Sequence, residues 1–145
     1  MTEYRYIRET DQAMYTLEVD RMDTQEMEDV LRQVVLDYRL YHLRAPETYD
    51  DAAERDLEKK ARLAWDTIEA AFGQRAECTE EFFRDVQVDV SHIHREVFRW
   101  KNELHWPPEF NAQGAVIRSH TAEACQASMQ RCLGGSLWPF IKVMR

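Results

Sequence analysis

Asp89, His92 and Glu96 are the residues of this chain best spaced for joint chemistry, at i, i+3 and i+7. On a helix the three share one side, and a carboxylate three positions before an imidazole is how helical bundles supply inward-pointing metal ligands. Such a centre draws its remaining ligands from a second helix, and no other helical stretch carries Asp/Glu-x-x-His. The three positions also fall at the margin of an apolar stripe, where charged side chains cover a helix seam. The expectation is a solvated flank with seam ion pairs, no metal and no cofactor. A metal-dependent enzyme centred on Asp89, His92 and Glu96 is the rival reading. His92 and His94 would chelate together on a strand, but on a helix they point about 200° apart.

Other catalytic signatures are missing from the sequence. None of Ser91, Ser119, Ser128 and Ser136 lies in a Gly-x-Ser-x-Gly elbow. Gly134-Gly135 follows a helical stretch instead of preceding one, so it lacks the oriented N–H groups that hold a phosphate. Neither His-Glu-x-x-His nor Cys-x-x-Cys occurs. Cys125 and Cys132, seven apart on an apolar stripe, read as small hydrophobes, and the three cysteines make no disulfide framework. Cys78 stands among Glu77, Glu80 and Glu81, whose charge opposes a thiolate.

With 145 residues, 44% of them hydrophobic and 32% charged, the chain suits one folded domain and is too apolar for disorder. The net charge of −8 is unevenly placed. Residues 1–60 carry 16 acids against 9 bases, whereas residues 110–145 carry only Glu123 against Arg118, Arg131, Lys142 and Arg145. The acidic half repels nucleic acid and anionic membrane, and the four cations are too dispersed for a basic patch. Neither nucleic acid nor membrane is therefore an expected partner. No apolar run is long enough to span a bilayer, and residues 1–20 lack the apolar core of a signal peptide. Together with the cysteine pattern, this points to an intracellular protein, cytoplasmic or nuclear.

The elements that would position these groups are mostly helices. Apolar residues recur at alternating intervals of three and four in Met27, Leu31, Val34, Tyr38 and Tyr41, in Leu57, Ala61, Ala64, Ile68 and Ala71, and in Ala122, Cys125, Met129 and Cys132. The longest such series is Phe83, Val86, Val90, Ile93, Val97, Trp100 and Leu104. Cap and breaker residues place the helices at 24–43, 48–72, 79–105 and 121–133. Leu36, Leu40 and Leu43 form a second apolar row on the first helix, which predicts a central position contacted from several directions. Residues 1–20 read as a hairpin, with extended runs at Glu3–Arg8 and Met14–Asp20. The predicted fold is mainly α: a single domain over 1–145, resembling a four-helix bundle, with an N-terminal β-hairpin and an apolar tail at 136–145.

Aromatic residues give the stronger functional lead. Trp106-Pro107-Pro108 and Leu137-Trp138-Pro139-Phe140 set tryptophan against proline in irregular segments, and rigid aromatic anchors dominate binding interfaces. The expected function is non-enzymatic protein–protein interaction, as a scaffold, adaptor or complex subunit presenting an apolar, acid-rimmed surface. Trp138, Phe140 and Ile141 are the first anchor candidates and Trp106 the next, toward a protein partner or a second copy of the chain. An alternative is that the acidic half acts as a decoy, occupying the basic groove of a nucleic-acid-binding protein.

Overall fold

Side-chain caps and apolar stripes place most of the helices where the residue pattern puts them. The structure is a computed structural model that describes residues 15–43, 50–133 and 137–144. The chain is mainly helical, with a small three-stranded antiparallel sheet. The chain divides into two compact units, Thr24–Leu104 and the flanking segments Met1–Asp23 with His105–Arg145.

In the first unit, helix α1 (Thr24–His42) buries Met27, Leu31, Val35 and Tyr38. Helix α2 (Asp51–Phe72) buries Leu57, Ala61, Ala64, Ile68 and Ala71, the predicted stripe in full, together with Phe72. Its cap is Asp50, whose carboxylate accepts the Ala53 N–H at 2.8 Å. The predicted start at Thr48 lies outside the described residues. Helix α1 packs against α2 and touches two further helices, so its central place in the unit holds. The second apolar row does not produce those contacts, because Leu36 and Leu40 are 54% and 41% exposed.

The single helix expected over 79–105 is instead two: α3 (Glu80–Arg84) and α4 (Val90–Asn102). Thr79 caps α3 as its position suggested, accepting the Phe82 N–H at 3.2 Å. The interruption has two causes. Asp85 turns its carboxylate onto the Gln87 N–H at 2.9 Å, a local bond that competes with helix continuation. From α1, the Arg39 guanidinium donates to the carbonyls of Phe83 at 2.9 Å and Val88 at 3.3 Å, satisfying acceptors that helical N–H groups would otherwise occupy. Val86 consequently leaves the predicted stripe and is 67% exposed, and Val90 is exposed too. Phe83, Ile93, Val97 and Trp100 keep their inward places. Trp100 meets Phe72, Phe82 and Phe83 at ring separations of 5.6, 6.1 and 6.2 Å, favourable for edge and tilted aromatic packing.

The second unit is built on strand β1 (Tyr15–Arg21), which lies between β2 (Gly114–Ser119) and β3 (Ile141–Met144) and is antiparallel to both. Strands β2 and β3 therefore run parallel, joined through helix α5 (Ala122–Leu133), a split β-α-β arrangement. The helical unit is an insertion between β1 and β2. Alternation along β1 sends Val19 inward with Ile117 and Cys125, flanked by Leu17, Phe110, Met129 and Ile141. The expected strand near Met14–Asp20 is present, but its partners come from the far end of the chain; Glu3–Arg8 lies outside the described residues. Ala115-Val116-Ile117, a short apolar run with no alternation of its own, is part of β2. The apolar tail folds as a 3-10 turn over Trp138–Phe140 followed by β3.

Candidate interaction surfaces and an aromatic cleft

The four anchor candidates have separate fates in the strand unit. Phe140 is fully buried, with Leu137 and Pro139 beside it, and its carbonyl accepts the Met22 N–H at 2.8 Å. Ile141 packs at the edge of the core beneath the sheet. Trp106 lies 5.1 Å from the Phe110 ring and beneath the Arg21 guanidinium, which sits 3.8 Å from the Trp106 ring centre. Burial lowers the Arg21 pKa from its ordinary value. Trp138 alone of the four stands out, 51% exposed on a turn whose other members are buried. Phe140 and Ile141 thus stabilise the turn that presents Trp138.

On the helical unit, the exposed row of α1 is bordered by charge. Leu36 and Leu40 are one turn apart, with Asp29 and Gln33 preceding them on the same side and Asp37 adjoining. Asp37 accepts from Gln33 at 2.9 Å, and Asp29 from Gln25 at 2.9 Å and Arg32 at 3.2 Å.

Of the residues considered for metal chemistry, Glu96 is engaged by an arginine. It accepts from Arg99 at 2.6 Å, a bond that lowers its pKa from the usual carboxylate value. His92 is exposed, with Arg95 3.3 Å from its Nδ1. Asp89 caps the start of α4 without a side-chain bond. Among the described residues no group of three His, Cys, Asp or Glu side chains is placed to hold a metal ion. Cys78 is buried, and its thiol is pushed up to about 11 by that burial and by Glu69, so it is a poor nucleophile at neutral pH.

His94 diverges from His92 and turns into the unit. Its ring stacks on Phe98 at 5.9 Å, and its Nε2 is buried without a hydrogen-bond partner. Burial lowers the imidazole pKa below its ordinary value, Arg32 and Arg39 of α1 lower it further, and Asp89 opposes them. Because the folded chain holds this proton less tightly than the unfolded one, the His94 contribution to stability is intact above the ordinary imidazole pKa. It is lost as pH falls through the lowered folded value. Urea midpoints measured at about pH 7.5 and about pH 5 should differ more for the wild type than for His94→Leu. Equal differences in the two proteins would show that His94 carries no proton-linked stability.

A site that the sequence did not reveal lies where α1 meets α2 and the start of α3. It is a cleft of about 190 Å³. Tyr38, Tyr41 and His42 of α1 line it together with Glu58, Arg62 and Trp65 of α2, and Glu80 of α3 closes the set. The Tyr38 hydroxyl donates to Glu80 at 2.7 Å, and the Tyr38 ring lies 4.3 Å from His42 and 5.6 Å from Trp65. Burial, then Glu80, raises the Tyr38 pKa far above the ordinary phenol value, so the hydroxyl stays a donor. The available signal was the small Ala61 facing large aromatics across the helix pair, a mismatch that leaves space only once the pairing is known. Compared with family models, curated proteins and solved structures, the chain matches none.

Proposed function

We propose that this chain is a non-enzymatic protein–protein interaction module, a scaffold, adaptor or complex subunit of the cell interior. Its helical unit acts in this reading as a bundle-like platform, and its contact surfaces are apolar with acidic rims. The observation that carries the reading is Trp138. A large aromatic ring half out of the fold, on a short turn pinned by a buried proline and phenylalanine, loses little conformational freedom on binding, which is what interface hot spots exploit. The Leu36–Leu40 row, with Asp29 and Asp37 beside it, supports the same reading. A second copy of the chain is one form the partner can take.

Deleting residues 136–145 would test this poorly, because it removes Phe140 and β3 from the strand unit along with Trp138. A photo-crosslinking residue at position 138 should instead give a discrete adduct in native cells, absent when the same residue replaces the exposed Gln126. Once identified, the purified partner should bind Trp138→Ala at least about 30-fold more weakly than wild type, a typical hot-spot loss. Absence of any adduct at 138, or a partner that binds Trp138→Ala and Leu36→Ser/Leu40→Ser as tightly as wild type, would overturn the proposal.

A further inference from the structure

We propose that the cleft between α1, α2 and the start of α3 is a receptor for an arginine side chain carried on the partner's surface. This inference rests on the protein-interaction reading and specifies the chemistry of one contact. A volume of about 190 Å³ is below the ~300–1,000 Å³ of pockets that hold cofactors and drug-sized ligands, and it suits a single side-chain head group.

Three features select a cation. Tyr41 and Trp65, both partly exposed, put aromatic rings at the space, with the buried Tyr38 ring behind them, and ring faces carry the negative lobe of the π quadrupole. Glu58 and Glu80 add carboxylates on two different helices. The Tyr38 hydroxyl engages only one oxygen of Glu80, leaving acceptor capacity on that carboxylate. A planar guanidinium stacks flat on a ring while its five N–H groups point to several sides, an arrangement that suits rings flanked by carboxylates better than a compact ammonium does.

Three basic side chains stand at or beside the cleft, and His42 lines it with its ring 4.3 Å from the Tyr38 ring. Arg84 also acts on Tyr38, but it does not line the cleft. Arg62 does line it, paired with Glu58 at 3.6 Å with both side chains exposed. Exposed pairs of this kind are weak, so Arg62 is a resident guanidinium that an incoming one displaces. The rim arginine thus acts as an internal competitor for its own cleft.

The assignment is tested on the full chain by two-dimensional amide NMR with the capped tripeptide acetyl-Gly-Arg-Gly-amide as probe, and its citrulline counterpart as the uncharged isostere. The arginine peptide should shift the Trp65 indole and Tyr41 amide signals, with a dissociation constant on the order of 1 mM for so small a fragment. The citrulline peptide should leave them in place. Glu80→Gln should weaken binding about 10-fold, and Glu58→Gln, which touches no core contact, provides the same reading if Glu80→Gln perturbs the fold. Arg62→Ala should bind more tightly than wild type. Equal shifts with citrulline, weaker binding by Arg62→Ala, or shifts produced by inorganic phosphate but not by the peptide would each overturn the inference. A partner adduct at position 138 in a chain whose cleft ignores the peptide would refute this assignment alone, leaving the interaction reading intact.

Discussion

Truncating Glu28 to alanine is expected to destabilise the helical unit by about 3 kcal/mol, far more than loss of an ordinary surface ion pair. Glu28 on α1 accepts from the Lys101 ammonium on α4 at 2.7 Å, across 73 positions of sequence. The Lys101 side chain is 2% exposed and that of Glu28 is 23% exposed. Removing the carboxylate therefore strands a buried ammonium, whose remaining support is the Phe98 ring 5.9 Å away. The reverse change is milder. Lys101→Met fills the same space with apolar atoms, and the partly exposed Glu28 can turn to water, so a cost of about 1 kcal/mol or less is expected. The double variant should be nearly as stable as Lys101→Met alone, since the stranded charge is gone. Urea unfolding of the four proteins, with unchanged denaturant slopes, gives the coupling directly. Equal, small losses for the two single variants would mean that the pair is solvated and contributes little.

That pair also illustrates what the residue pattern could and could not reveal. Lys101 follows Val97 by four positions and so shares its helix face, but a lysine at the edge of an apolar stripe reads as a charge covering the seam, so its residue type hides the burial. The stripes of α1 and α2 were legible because a period of 3.6 is written into adjacent turns. The interruption at Asp85–Asp89 was not, because Val86 and Val90 continue the rhythm across it while the groups that break the helix are Asp85 and the distant Arg39. The sheet was half legible. Tyr15–Arg21 alternates as a strand should, but its partners lie about a hundred residues on, and β2 contributes only a short apolar run that resembles a loop. Of the site residues, the Trp-Pro motif pointed to Trp138, yet which of Trp138 and Phe140 faces outward depends on how the turn docks. The aromatic cleft required the pairing of α1 with α2, because Tyr38 and Ala61 are each unremarkable alone.

Gly114 is the position at which a single methyl group should do the most damage to the strand unit. It opens β2 at φ +151°, and a Cβ there would lie 1.8 Å from the Val19 carbonyl oxygen. That oxygen belongs to the backbone of β1, so no side-chain rearrangement relieves the clash. The turn leading into β2 is held as well: Asn111 Oδ1 accepts the Gly114 N–H at 3.0 Å, the Gly114 carbonyl accepts the Asn111 N–H at 2.8 Å, and Arg21 donates its N–H to Gln113 at 2.9 Å. Gly114→Ala must therefore break the β1–β2 pairing or distort this turn, at a cost of about 3 kcal/mol or more. The amides of β1, β2 and β3 should lose their dispersion in NMR spectra. The helices of Thr24–Leu104, which have their own core, should retain their far-ultraviolet signal. The turn that presents Trp138 belongs to the strand unit, tied to it by the Met22–Phe140 bond, so Gly114→Ala should also abolish the position-138 adduct without touching Trp138. Trp138→Ala separates the two effects, since it should lose the partner with every strand signal in place. A Gly114→Ala protein with native strand signals would show that β1 and β2 do not approach as closely as this geometry requires.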